Sequence, residues 1–332
     1  MNEEFDLIAI GDITTDAFIR IKQASVYYDN EDKEEKICLT NGGKIPYEFT
    51  KIIPGVGNSP NAAVCTTRLG LKTALVTNLG DDENGKDILE ALEKNNIDRT
   101  FVRVHAEHVS NYHYLLWHKA ERTVLTKHED YDYTLPDIGN PRWIYFSSVS
   151  ENSLEYHQEI VRFAQEHPET KLAFQPGTFQ VKLGYETLKE VYKISEVFFC
   201  NKEEARLILK TKEQNVAKLA KEMVERGPKI AAITNGSKGA YMYDGEHAWF
   251  VPPYPSSKPQ VESTGAGDSF SSTFTTALAL GKSPEEALMW GPINSMSVVQ
   301  HIGAQEGLLT REELEKYLAE KPENYAVQKI DI

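Results

Sequence analysis

Glu262-Ser263-Thr264-Gly265-Ala266-Gly267-Asp268-Ser269-Phe270 is the stretch on which the reading turns. A glycine-rich turn runs straight into a small-residue helix, predicted over Ala266–Leu280. A helix that opens this way leaves its first N–H groups unpaired, with the positive end of the helix dipole behind them. Such a place attracts anions, above all the charge that develops on a phosphoryl group in transit. Glycines let the backbone come close, with no Cβ in the way. Asp268 stands in the first turn of that helix. Its carboxylate can take the proton of an attacking hydroxyl, or it can simply complement the helix dipole. The fragment alone leaves both open.

Other phosphate-binding patterns fail in this chain. A dinucleotide fingerprint G-x-G-x-x-G meets Phe270 at its third glycine. Gly80-Asp81-Asp82-Glu83-Asn84-Gly85-Lys86-Asp87 nearly spells a Walker A loop. It lacks the Ser or Thr that ligates Mg²⁺, and its acidic residues repel phosphate.

Three further runs carry polar groups at places where ligands gather. Gly11-Asp12-Ile13-Thr14-Thr15-Asp16 follows the first predicted strand, and Pro54 to Ala63 is a second glycine-rich turn entering a helix. Open α/β sheets bind ligands at strand C-terminal ends, and a carboxylate with amides suits neutral polyhydroxyl molecules. Asp16 and Asn61 can equally be turn and N-cap residues. Cys200-Asn201-Lys202-Glu203-Glu204 passes from strand to helix. Asn201 and Glu204 could hold a hydrated Mg²⁺ or form a capping box. Thr234-Asn235-Gly236-Ser237-Lys238-Gly239 could wrap a nucleotide or make a hairpin turn.

Composition narrows the class. The 332 residues carry a net charge of −14, which excludes nucleic acid as a main partner because phosphate backbones need a Lys/Arg surplus. No apolar run is long enough to span a membrane. The start, Met1-Asn2-Glu3-Glu4-Phe5-Asp6, is acidic where a secretory signal is basic, so a cytoplasmic protein is expected. Cys38, Cys65 and Cys200 make neither a disulfide framework nor a zinc motif and are read as buried small hydrophobes.

Short apolar strands alternate with helices for most of the length, which predicts an α/β fold with a central, mainly parallel sheet covered on both faces. Predicted strands include Asp6–Ile10, Thr73–Thr77, Trp143–Phe146, Leu172–Phe174, Glu196–Cys200 and Ile230–Thr234; predicted helices include Asn58–Leu69, Gly85–Lys94, Leu154–Glu166, Lys202–Leu209, Val216–Glu225, Pro284–His301 and Arg311–Glu320. Residues 17–53 and 100–127 break the rhythm with strand-like runs and no helix between them. They are expected to form a small antiparallel β-sheet lid over a core made of 1–16, 54–99 and 128–332.

Taken in order, these runs resemble the PfkB/ribokinase family of carbohydrate and nucleoside kinases, from Gly11 to about Gly307. Glu262–Asp268 is similar to the family's D-T-x-G-A-G-D signature, and Gly57–Asn61 with Arg68-Leu69-Gly70 to its N-terminal signature. The resemblance implies a ribokinase-like fold and an ATP-dependent phosphotransferase with an alcohol acceptor. Asp268 would be the catalytic base, with Gly265, Ala266 and Gly267 as the anion hole. Asp16, Gly57, Asn58 and Asn61 would bind the acceptor. Asn201 and Glu204 would organise Mg²⁺ through water, and Asn201, Thr234, Gly236, Gly239 and Asn294 would border ATP. His301-Ile302-Gly303-Ala304 sits where the family closes its adenine pocket. The lid strands imply a homodimer interface.

The chain departs from the pattern at Glu262, where Asp is usual and where many relatives hold a monovalent cation. It departs again at Val56, where the first of two paired glycines is expected, and at Gln175 before Pro176-Gly177, where Asn-Pro is common. Ser147 and Ser148 stand where some ribose kinases place an acidic ligand. A small sugar is the expected acceptor. A nucleoside, stacked on Tyr112, His113, Tyr114 and Trp117, is the alternative, and a non-catalytic sugar sensor a third reading that the intact Gly-Ala-Gly-Asp run disfavours.

Overall fold

A computed structural model of the chain describes residues 5–31, 34–119 and 121–332. The acidic start Met1–Glu4, and Asp32 and Lys33 of the acidic loop, lie outside the described residues. The chain opens with β1 (Leu7–Ile10), β2 (Thr14–Ile21), β3 (Ser25–Asp29), β4 (Glu34–Cys38) and β5 (Tyr47–Val56), then α1 (Asn58–Arg68). Next come β6 (Thr73–Gly80), α2 (Glu83–Lys94), β7 (Val102–His105), β8 (Tyr112–His118) and β9 (Glu121–Leu125). The middle holds β10 (Trp143–Phe146), α3 (Leu154–Glu166), β11 (Lys171–Phe174), α4 (Thr178–Ile194), β12 (Ser195–Asn201), α5 (Lys202–Leu209), α6 (Val216–Val224) and β13 (Ile230–Thr234). The chain closes with β14 (Ala240–Tyr243), β15 (Ala248–Val251), α7 (Ala266–Ala279), α8 (Pro284–Val298), α9 (Arg311–Ala319) and β16 (Gln328–Ile330).

Among the described residues the main sheet has ten strands, in the order β16-β15-β14-β13-β12-β11-β10-β1-β6-β7. From β13 to β7 every neighbouring pair runs parallel; the β13–β16 end is antiparallel. The parallel strands are apolar because both faces are covered: Leu-Ile-Ala-Ile of β1 and Trp-Ile-Tyr-Phe of β10 are buried throughout. One core packs α1, α2, α7, α8 and α9 on one face, with Leu75, Phe274 and Ile293 inside it. The other packs α3 to α6 on the opposite face, around Phe146, Phe174 and Leu219. The chain runs from β1 to β6 on one side and returns to β10 on the other, so the strand order reverses between β1 and β10. Ligands of open α/β sheets sit beside such a reversal.

A second, four-stranded sheet has the order β5-β2-β8-β9. It is mixed rather than antiparallel throughout, since β2 and β8 run parallel. β3 and β4 form a two-stranded hairpin of their own. Two expectations are corrected here. Val102–His105 pairs parallel with β6 in the main sheet, because α2 provides the crossover that makes β6-α2-β7 a βαβ unit. Thr14–Asp16 already belongs to the small sheet, so Asp16 is a residue of β2. Cys65 and Cys200 are buried as expected, whereas Cys38 is exposed.

Candidate active site

The groups singled out by sequence come together along the C-terminal ends of the parallel strands. Asp12 follows β1, Ser147 follows β10, Gln175 follows β11, Asn201 ends β12 and Thr234 ends β13. Opposite them, α1 and α7 point their N-termini into the same cleft. Gly57 caps α1 at φ 128°, and a Cβ there would lie 2.7 Å from the Asp12 carbonyl oxygen. Val56 needs no left-handed conformation, because it ends β5 paired with Thr14 while positive φ falls on Gly55 and Gly57.

Asp268 is the centre. Asn58 Nδ2 and Gln175 Nε2 donate to its Oδ1, each at 2.9 Å, and Asn61 Nδ2 donates to its Oδ2 at 2.8 Å. Gln175 cannot turn its amide around, because Tyr145 OH and Ser271 Oγ both donate to Gln175 Oε1, the latter at 2.9 Å. Asn61 is likewise fixed, its Oδ1 accepting from Gln305 Nε2 at 3.0 Å. Burial pushes the Asp268 carboxyl above its ordinary value; the amides of Asn61, Gln175 and Asn58 pull it back, and the Asp16 charge adds to the rise. A half-buried carboxylate whose basicity is raised in this way, yet held in place by neutral donors, suits a proton acceptor.

In front of Asp268 the turn provides donors. Ser269 N–H returns to Gly265 O at 2.8 Å and Ala266 N–H to Ser263 O at 3.3 Å. The N–H groups of Gly265, Gly267 and Asp268 have no protein acceptor among the described residues. Gly265 takes the left-handed conformation, φ 76°, flush against Ala304. Ala266 and Gly267 line a cleft of about 490 Å³ that continues to Thr234, Gly236 and Gly239. Phe270, Pro292 and Met296 supply an apolar wall and Lys258 a cation. The Thr234–Gly239 run is both a hairpin turn between β13 and β14 and part of this lining.

Asn201 and Glu204 form a reciprocal capping box on α5: Asn201 N–H donates to Glu204 Oε2 at 2.8 Å, and Glu204 N–H to Asn201 Oδ1 at 2.9 Å. The Glu204 carboxyl is raised chiefly by burial, and the charge of Asp268 contributes. Among the described residues no cluster of three His, Cys, Asp or Glu side chains could hold a metal unaided.

Asn294 does not join the cleft. It is fully buried between α1, α7 and α8, donating to Thr273 Oγ1 at 2.9 Å and accepting from Leu309 N–H at 3.0 Å. Its amide serves the packing of helices, not a ligand. His301–Ala304 also lies outside the lining of the 490 Å³ cleft. Gly303 N–H donates to Glu262 Oε1 at 2.9 Å, and Ala304 packs on Gly265, so this segment braces the anion turn.

Sequence reasoning gave no role to Tyr133 or His128, and to His113 only stacking on a base, yet the fold brings all three to the carboxylates of Asp12 and Asp16. Tyr133 OH donates to Asp12 Oδ1 at 2.7 Å, and His128 Nδ1 stands 3.4 Å from Asp12 Oδ2. His113 Nδ1 stands 3.4 Å from Asp16 Oδ1, and the two imidazole rings lie 5.2 Å apart. Asp12 and Asp16 both sit within the quoted Gly11–Asp16 run, so position after β1 was a usable signal for them. His128 and Arg122, by contrast, carry no local mark.

A family model described as pfkB family carbohydrate kinase matches residues 25–311. The chain belongs to the pfkB family of carbohydrate kinases. As a member, this kinase is a phosphotransferase that acts on a hydroxyl acceptor. An uncharacterized sugar kinase from Archaeoglobus fulgidus is 26% identical over 250 residues, covering 73% of this kinase and 97% of that protein. The ribokinase of Bacillus subtilis is 27% identical, covering 80% of this chain and 88% of that one. The 5-dehydro-2-deoxygluconokinase of the same organism is 25% identical, covering 96% and 97%. Among solved structures, Arabidopsis thaliana ribokinase complexed with ribose and ATP superposes with a TM-score of 0.79 at 19% identity, covering 95% of this kinase and 99% of that chain. The fold is therefore ribokinase-like.

Proposed function

We propose that this pfkB-family kinase transfers the γ-phosphoryl group of ATP to a hydroxyl of a small uncharged sugar, with Asp268 as base. The observation that carries the reading is Asp268 itself, held by Asn58, Asn61 and Gln175 in the first turn of α7, directly after the open N–H groups of Gly265 and Gly267. The cleft offers ATP an apolar wall for its base at Pro292 and Met296, and its triphosphate would extend toward Gly267. The acceptor hydroxyl gives its proton to Asp268 as its oxygen bonds to the γ-phosphorus; the bond to the bridging oxygen breaks and ADP leaves with that electron pair. The free N–H groups of Gly265, Gly267 and Asp268 face the charge that accumulates in transit. Asn58, Asn61 and Gln175 keep the carboxylate aimed. Mg²⁺ brought by the nucleotide would neutralise charge on the phosphates, and Asn201 and Glu204 would hold its water shell.

A sugar is favoured over a nucleoside by what surrounds Asp16. The acceptor end is polar, built from Asp16 with His113 and Asp12 with His128. Of the expected stacking partners only His113 stays at this end: Trp117 is buried, edge-on to Phe49 and under Arg20, while Tyr112 and Tyr114 pack on each other. A coupled ADP-release assay over a panel of aldoses, ketoses, sugar acids, sugar phosphates and nucleosides tests the reading. Turnover is expected with neutral sugars; preference for a nucleoside, or no acceptor-dependent ADP at all, overturns it. The same assay is expected to be indifferent to replacing K⁺ by Na⁺, because Glu262 already carries a protein-borne cation, Arg122, at 3.1 Å.

The small sheet also supports a homodimer. Ile52, Ala17, Tyr114 and Leu125 are cross-strand partners on one face, and Ile52, Tyr114 and Leu125 are 59%, 48% and 51% exposed. Such a contiguous apolar strip suits a second copy of the chain. Light scattering after gel filtration is expected to give a two-chain mass for the wild type and a one-chain mass for Tyr114→Glu. An unchanged mass in the variant removes this face from the assembly.

A further inference from the structure

Glu262 is only 3% exposed, yet its carboxylate ties three separate pieces of chain together. It accepts from Thr264 N–H at 2.9 Å and from the Thr264 hydroxyl, both within the anion turn. It accepts from Gly303 N–H at 2.9 Å, in the segment that packs Ala304 on Gly265. Its charge is met by Arg122 Nη1 of β9 at 3.1 Å, and the same nitrogen donates to Ser263 Oγ at 2.9 Å. Among the described residues no other cation pairs with Glu262.

The opposite edge of the small sheet grips the same region. Lys51 of β5 donates to Ile302 O at 3.3 Å and pairs with Glu306. Ile53 of β5 fills the space beside Gly303, where a Cβ would lie 2.3 Å from its Cδ1. Both edges of the four-stranded sheet are thus fastened to the two segments, 262–265 and 302–306, whose contact shapes the anion hole.

A buried carboxylate is tolerable only with an opposite charge and saturated hydrogen bonding. Without Arg122 the buried Glu262 carboxylate has no opposite charge beside it and is driven to move toward water. That movement loosens the grip on Thr264 and Gly303 N–H, and with it the turn that presents Gly265 and Gly267. We propose that Arg122 is a positioning residue for phosphoryl transfer: it acts through Glu262, making the shape of the anion hole depend on the seating of the small sheet. This rests on the kinase mechanism given above.

The test compares Arg122→Ala, Arg122→Lys and Glu262→Gln with the wild type. Arg122→Ala is expected to lower kcat about tenfold or more while KM for ATP changes less than about threefold, because binding contacts survive and transition-state contacts do not. Guanidinium ion at tens of millimolar is expected to restore part of that kcat. Arg122→Lys is expected to be intermediate, since one ammonium cannot reproduce the planar fork. Hydrogen exchange without substrates is expected to show faster exchange at Thr264 and Gly303 N–H in Arg122→Ala and Glu262→Gln, with the β1 and β10 amides unchanged. An unaltered kcat in Arg122→Ala overturns the proposal. So does a loss that guanidinium fails to rescue and that accompanies faster exchange throughout the core. The exchange measurement needs no acceptor, so absence of sugar turnover in the wild type would count against the kinase mechanism and leave the Glu262 tie separately decided.

Discussion

Asp268→Asn is expected to lower kcat by about 10²–10⁴-fold, the usual contribution of a positioned base, while ATP binding and folding persist. Two opposed effects act on stability. The ionised carboxyl is disfavoured in the folded chain, a penalty absent below the ordinary carboxylate range and complete above the raised value, and Asn removes it at neutral pH. The new amide must set its NH2 against Asn61 Nδ2 or against Asn58 and Gln175, all donors, so thermal unfolding of the variant is expected to shift little. Wild-type kcat/KM should climb with pH as Asp268 loses its proton. Gln175→Ala removes one of three stabilising donors and should move that acid limb to higher pH. A near-normal kcat in Asp268→Asn excludes Asp268 as the base.

Gly265→Ala carries the second large effect. The residue has φ 76°, and an added Cβ would lie 2.4 Å from Ala304 Cβ and 2.6 Å from Ala304 Cα. An L side chain pays for the left-handed backbone, and the collision is with main chain that cannot swing aside. The turn must shift, taking the N–H of Gly265 and Gly267 off the path of the phosphoryl group. A loss of about 10²–10³-fold in kcat is expected, with about 1–3 kcal/mol of stability. Steady-state kinetics beside denaturant unfolding separates the two. Full activity would mean that these N–H groups are not the anion hole.

How much of this could be read beforehand depends on range. The Gly265–Asp268 run was legible because its chemistry is local: a left-handed turn, a helix start and a carboxylate within one turn. α3, α5, β10 and β13 have the bounds expected from their apolar spacing. α4 escaped because Pro176-Gly177 precedes it and Gly184, at φ 77° and ψ 170°, interrupts it, so the sequence reads as loop. Val102–His105 looked like part of the lid because nothing in four residues says which sheet edge they join. Asn294 was misplaced for a related reason: a polar residue on a predicted helix does not announce whether it faces a ligand or a core of Cys65 and Thr273. Arg122 and Glu262 are 140 positions apart, and only the folded chain makes them partners.

The strand-end arrangement has a consequence for how such a protein changes over generations. Asp12, Ser147, Gln175, Asn201 and Thr234 each come from the exit of a different parallel strand, the first three beyond the ladder and the last two on its final rung. One exit can be rewritten without disturbing the other four or the interior beneath them. Selectivity for a new acceptor is thus separable from the capacity to fold.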